Sequence, residues 1–167
     1  MRKVLVSAAL LSTVLLMAGG KLAPEDIPEL VPAIETPAND CTKNSVYTDE
    51  DSGLMWQDEA YTDAEDGAFK NNGNAGKAGS FQHAKNYCEG LYYAGHTDWR
   101  LPTSDELMHL HRKPGQVFIN FRGSDFWTST PAVTGKYFVV YSADAYRYER
   151  KTSESNYVRC VRCAKED

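Results

Sequence analysis

The chain has 167 residues and a formal net charge of −5, from 23 Asp and Glu against 18 Lys and Arg. An acidic balance of this kind argues against a nucleic acid partner, which calls for a basic stripe. The four cysteines, Cys41, Cys88, Cys160 and Cys163, are an even set, as expected of disulfides in an exported chain.

Arg2 and Lys3 open a short positive region, Val4 to Met17 run almost wholly apolar, and Ala18-Gly19-Gly20 supply small residues for cleavage. Residues 1–20 therefore read as a cleaved secretory signal peptide. The apolar run is shorter than the ~20 residues a spanning helix needs, and no cysteine follows the small residues to carry a lipid. The expected product is secreted or periplasmic, without a membrane span in the mature chain. Its charge would be 16 − 23 = −7, because the signal holds two of the basic residues and no acidic ones. Residues 21–40 space Pro24, Pro28, Pro32 and Pro37 among acidic and small residues. Proline removes backbone donors and fixes φ, so this stretch reads as an extended tether. The folded domain is assigned to 41–167.

Ser45-Val46-Tyr47 and Leu54-Met55-Trp56-Gln57 flank the turn residues Asp49 to Gly53 and predict a β-hairpin. From Asp58 to Gly79 the chain is rich in Gly, Asn and Asp, without an apolar period, and reads as a mobile, solvated loop. Its carboxylates (Asp58, Glu59, Asp63, Glu65, Asp66) do not have EF-hand spacing. Ser80 then caps a helix whose buried stripe is Phe81, Ala84, Cys88 and Leu91, with Gly95 as its end. Thr103 and Glu106 have the spacing of a capping box, opening a second helix that buries Leu107 and Leu110 and stops at Pro114-Gly115. The rest reads as strands: Phe126 to Thr130, Tyr137 to Tyr141, Ala145 to Arg150, and Tyr157 to Cys163. The order is hairpin, two helices, then strands, which predicts an α+β domain.

Cys160-x-x-Cys163 has a spacing also seen in zinc and redox sites, but a structural zinc site wants a second close pair. Redox pairs sit at helix N-termini. On a strand, residues three apart point to opposite faces, so the two thiols look elsewhere for partners.

The run Ala94-Gly95-His96-Thr97-Asp98-Trp99-Arg100-Leu101-Pro102-Thr103, with Asp51 to Gln57, Phe126 to Thr130 and Val158-Arg159-Cys160-Val161-Arg162, resembles the Lcl C-terminal domain family of bacterial extracellular domains. The resemblance spans nearly all of 45–163. It implies a C-type-lectin-like fold, distantly related to formylglycine-generating enzymes. That fold has a small twisted antiparallel sheet, two helices, and N- and C-terminal strands side by side. It also implies a Cys88–Cys160 disulfide, which leaves Cys41 and Cys163 to each other.

No nucleophile is paired with a base by motif, and His83, His96, His109 and His111 form no metal signature. The two disulfides would occupy the cysteines that formylglycine chemistry needs. The calcium-dependent sugar motifs of lectins are absent, so that activity does not transfer with the fold. The expectation is therefore a non-catalytic binding or adhesion module without cofactor or metal, directed at a glycan or a surface protein. The alternatives are a structural subunit of a cell-envelope or surface assembly, or an enzyme with a site near His96 and Asp98. His96, Asp98, Trp99 and Arg100 are read as a structural loop, with Trp99 in the core and Arg100 paired to Asp98 or Glu106. Trp56 and Trp127 are read as core aromatics. The candidate ligand site is Tyr146, Arg147, Tyr148 and Arg150. Alternation puts Tyr146, Tyr148 and Arg150 on one face. Tyrosine can stack on a sugar and arginine can fork onto an acidic group, making an acidic glycan the first ligand class. The competing reading has these tyrosines covering the sheet against residues 58–79.

Overall fold

The computed structural model describes residues 45–165. The expected signal peptide, the tether and Cys41 lie outside the described residues. The α+β class holds, with three helices and two sheets among the described residues. No described helix is long and apolar enough to cross a membrane.

Strands β1 (Val46–Asp49) and β2 (Leu54–Gln57) form the expected hairpin. Its turn needs Gly53, at φ 66, where a side chain would be strained. Leu54 and Trp56 point into the core. Asp49, at the end of β1, is buried but takes the Ser52 hydroxyl and the Lys113 ammonium.

The 58–79 stretch is not a solvated loop. It holds helix α1 (Asp63–Lys70) and strand β3 (Ala78–Gly79). A capping box starts α1: the Thr62 hydroxyl accepts from the Glu65 amide, and the Glu65 carboxylate accepts from the Thr62 amide. Glu65 is 5 % exposed, yet its carboxylate also takes the Lys77 amide at 2.8 Å and lies 3.0 Å from the Lys77 ammonium. Gly76 is required beside it, because a Cβ there would run into that carboxylate. The polar composition that reads as solvation is instead consumed by internal pairing.

Helix α2 (Phe81–Glu89) begins at Ser80 as expected but ends at Gly90, earlier than Gly95. Ala94 (φ 51) and Gly95 (φ 84) form a tight turn closed by paired Tyr93 and His96 backbones. Helix α3 (Ser104–His111) has the Thr103–Glu106 capping box and buries Leu107 and Leu110. Strands β4 (Asp125–Pro131), β5 (Lys136–Tyr141) and β6 (Tyr146–Lys151) form an antiparallel meander.

The last predicted strand is broken in two. Strand β7 (Asn156–Tyr157) pairs with β3 and runs parallel to β4, while β8 (Val161–Cys163) pairs with β2. The sheets are therefore β1-β2-β8 and β3-β7-β4-β5-β6. The terminal strands share a sheet but are separated by β2. Between β7 and β8 the chain changes partners: the Val158 amide donates to the Lys77 carbonyl, and the Cys160 carbonyl accepts from the Gln57 amide.

Two apolar clusters fill the interior. One centres on Trp56, Leu107, Leu110, Phe118, Phe126 and Tyr157, the other on Trp99, Trp127, Val139, Val158 and the Cys88–Cys160 disulfide. All three tryptophans are core residues. Cys163 is exposed and forms no disulfide among the described residues.

Arg159 crosses the junction of the two sheets and is 2 % exposed. One guanidinium nitrogen donates to the Gln57 carbonyl at 2.7 Å and to Asp58 at 3.3 Å, and the other to the Asn120 carbonyl at 2.8 Å. The guanidinium lies 3.8 Å from the centre of the Phe118 ring. Asp58 in turn accepts from the Ile119 and Asn120 amides.

Two stability predictions follow from this packing. Cys88→Ser opens a link across a sequence separation of 72 and is expected to cost about 4 kcal/mol by the chain-entropy argument, measured by urea unfolding. Arg159→Met strands the buried Asp58 charge and is expected to cost roughly 3–5 kcal/mol. In the double variant with Asp58→Asn the loss should be smaller than the sum of the single losses, since both charges are gone.

Candidate functional site

The β5–β6 register aligns Tyr146 with Tyr141, Tyr148 with Val139 and Arg150 with Tyr137. Facing residues of an antiparallel pair share a side of the sheet, so Tyr146, Tyr148 and Arg150 lie together. The Tyr146 and Tyr148 rings stack at 6.0 Å and 24°. Tyr146 is 63 % exposed, while Tyr148 is half-buried against the second apolar cluster. The Arg150 guanidinium lies 4.9 Å over the Tyr148 ring.

Arg150 is not an open fork for an anion. It donates to Asp125 at 2.9 Å, to the Tyr148 hydroxyl at 3.1 Å and to Glu154 at 3.3 Å. Burial, with Asp125 adding to it, pushes the Tyr148 hydroxyl up to about 12, so it stays a neutral donor and acceptor near neutrality. Arg147 projects from the other side of β6. There it donates to Asp105 and Ser104 of α3 and covers the Phe138 ring at 5.1 Å. The four expected ligand residues thus divide into three on one face and one on the other.

Next to Arg150 is a cavity of about 370 Å³, lined by Phe69, Asn72, Arg150, Glu154, Ser155 and Asn156. Phe69 and Asn72, at and just beyond the end of α1, line this cavity together with Arg150. Three of the lining residues each have a fully buried side-chain atom with no partner among the described residues, Arg150 Nε, Ser155 Oγ and Asn156 Nδ2, and so does Asp125, which pairs with Arg150 through its other oxygen.

The motif loop is bound up internally. The Trp99 indole donates to the Tyr93 carbonyl at 3.2 Å, and the Tyr93 hydroxyl donates to the Ser45 carbonyl at 2.7 Å. Arg100 makes a two-point pair with Glu106, at 2.9 and 2.7 Å, and its backbone exchanges two hydrogen bonds with Val161. Glu106 is thereby both cap and counterion, and Arg100 with the Thr103 amide holds its carboxyl below the usual range against the opposing effect of burial. Asp98 instead accepts from the buried Arg162 at 2.6 Å, the chief reason its carboxyl is lowered. Among the described residues no group of three or more His, Cys, Asp or Glu is placed to hold a metal ion.

Sequence reading missed Asp125, Ser155 and Asn156, which lie far from Phe69 and Asn72 in the chain. One available signal was the Thr62-x-x-Glu65 capping pattern. It marks α1, whose end forms one wall of the cavity.

A separate cavity of about 190 Å³ is lined by Leu110, His111, Val117, Phe121 and neighbouring residues. His111 meets Phe118 and Phe121 edge-on. Burial, reinforced by the Arg159 charge, lowers His111 to about 4 from an ordinary 6.5. The unfolded chain takes up this proton as pH falls through 6.5, whereas the folded protein resists it until about 4. Stability from this group is thus present at neutral pH and lost between those values. Wild type is expected to lose on the order of 2 kcal/mol from this source between pH 7 and pH 5. His111→Phe should show a flatter stability profile across that window in chemical unfolding.

The family model of the Lcl C-terminal domain matches residues 45–162. No curated protein matches the chain.

Proposed function

The chain belongs to the Lcl C-terminal domain family, and from that premise we propose that it is an exported, non-catalytic binding or adhesion module that recognises a glycan. Export is supported by the signal-like residues 1–20 and by the Cys88–Cys160 disulfide, a bond that persists in oxidising compartments. The destination is the periplasm or the medium.

One observation carries the binding reading. Tyr146 presents most of its ring to solvent while stacked on Tyr148, beside polar groups of Arg150 and its neighbours. A rigid aromatic surface edged by hydrogen-bonding groups suits a sugar, whose ring faces are apolar and whose rim is hydroxylated. With Arg150 and Arg147 each held by carboxylates, the surface favours stacking over capture of acidic groups, a shift from the acidic glycan expected from sequence. The non-catalytic reading is supported by the motif-loop groups, Asp98 and Arg100 above all, which are engaged in internal pairs.

A surface assembly subunit is the second reading. It is favoured by the exposed Ile119 (81 %) and Phe121 (40 %) on the loop between α3 and β4.

Glycan-array screening of the exported protein tests the first reading. Wild type is expected to bind a defined glycan set, and Tyr146→Ala and Tyr148→Ala to lose at least about tenfold in affinity, the equivalent of ~1.4 kcal/mol. Arg150→Ala should also weaken binding, by removing the cation over Tyr148. Equal binding by wild type and the tyrosine variants would place the site elsewhere. No binding on a broad array would direct attention to a protein partner or an assembly. Turnover on a hydrolase panel would overturn the non-catalytic reading.

A further inference from the structure

Strand β6 ends the larger sheet: it pairs with β5 on one side and with no described strand on the other. The β5–β6 register fixes which of its backbone groups are free. The Thr152 amide donates to the Gly135 carbonyl at 3.2 Å, one step beyond the aligned Lys136 and Lys151, so Thr152 and Gly135 form a hydrogen-bonded pair. Such pairs alternate along an antiparallel ladder. Tyr148 and Arg150 therefore turn their amides and carbonyls toward β5, while Arg147 and Glu149 turn theirs outward. No described group bonds to those outward amides and carbonyls. Arg147 and Glu149 are both exposed, as are Tyr146 and Lys151. An open edge of this kind is a template for another strand, and its charges decide which strand fits.

We infer that the β6 edge is the interface for a second copy of this chain, paired antiparallel about a two-fold axis through Tyr148. Charge selects both the partner and the register. With that axis, Arg147 stands opposite the partner's Glu149, and Glu149 opposite the partner's Arg147. Both are outward-facing positions, so each of the two equivalent pairs exchanges two backbone hydrogen bonds, four in all. Arg147 and Glu149 are two residues apart and share a face of the sheet, so their side chains meet those of the partner as opposite charges. Other registers fail. An axis at Arg147 sets that residue against the partner's Arg147. An axis at Glu149 sets two carboxylates together and Arg147 against the partner's Lys151. An axis at Arg150 relies on Lys151, whose carbonyl already takes the Glu154 amide. An axis between residues opposes outward groups to inward ones and loses the ladder. Arg147 and Glu149 already hold Asp105 and Lys136, but through exposed pairs, which contribute little and leave both open to a further partner. On the other face Tyr148 meets the partner's Tyr148, and Tyr146 lies opposite the partner's Arg150, which joins the two stacked tyrosine pairs into one surface. A two-fold contact closes on itself, so assembly through this edge stops at a dimer. The inference goes beyond the glycan reading and holds whatever the ligand is.

Sedimentation velocity of the exported protein, from micromolar to millimolar concentration, is expected to show a monomer–dimer equilibrium. Arg147→Glu and Glu149→Arg each set like charges opposite one another at both symmetric pairs. Each should weaken self-association at least about tenfold. An equimolar mixture of the two variants restores opposite charges at both pairs and should form a heterodimer. The double variant, with the charges exchanged, should pair with itself again. These rescues separate a broken interface from a failure to fold. Hydrogen exchange should show the Arg147 and Glu149 amides slowed at least about tenfold in the dimer relative to the single variants. A wild type that stays monomeric throughout would overturn the pairing and leave the edge to an extended segment of another protein. A trimer or an open oligomer, a dimer indifferent to both charge reversals, a variant mixture that does not associate, or a dimer with fast-exchanging Arg147 and Glu149 amides would also overturn it.

Discussion

The buried Arg159 guanidinium is the point on which the two sheets depend. It sits where the chain leaves β7 for β8 and reaches the end of β2 through the Gln57 carbonyl and Asp58. It also reaches the loop after α3 through the Asn120 carbonyl. A hydrophobic residue could fill the same volume but could not satisfy those carbonyls, which would then be buried without donors. The planar fork also lies flat on Phe118, so a single side chain serves as cation, donor and packing surface. Asp58 completes the arrangement by accepting two backbone amides from the loop. The hairpin sheet is tied to the rest of the domain as well by the disulfide that follows β7, the Arg100–Val161 bridge, the Asp49–Lys113 pair and the Arg162–Asp98 pair.

The same economy recurs across the domain. Glu65 caps α1 and neutralises Lys77. Glu106 caps α3 and holds Arg100. Asp66 receives the Tyr157 hydroxyl and pairs with Arg122, whose guanidinium covers the Tyr61 and Tyr157 rings. Carboxylates that look available in the chain are thus tied to backbone amides and basic groups in the folded domain. Against this background of paired charge, the unpaired atoms near Asn156 and the exposed Tyr146 stand apart, since neither contributes to the pairing that holds the fold.

Much of the architecture was legible in the chain because local rules and tertiary packing agreed. The β1–β2 hairpin, the Thr103–Glu106 capping box, the stripe carrying Cys88 on α2 and the strands of the β4–β6 meander all combine a strong short-range pattern with burial of the face that the pattern marks. Helix α1 was not legible by periodicity. It is short, contains Gly67 and buries only Ala68 and Glu65, so no apolar stripe announces it. The break between β7 and β8 was also hidden, because alternation runs on through Val158 to Cys160 while the pairing partner changes.

The amino-acid sequence by itself determined the α+β class, the family, and the division of Tyr146, Tyr148 and Arg150 from Arg147, because strand alternation is a property of the backbone. It could not determine what those side chains meet. That Arg100 chooses Glu106 and Asp98 chooses Arg162 was decided only when α3 and β8 came together around the motif loop. That Arg150 is held by Asp125 and Glu154 beside a cavity containing Phe69 and Asn156 was likewise decided by tertiary structure. Pairing energy depends on distance and desolvation in space, and residues widely separated along the chain acquire both only when the sheets and helices pack.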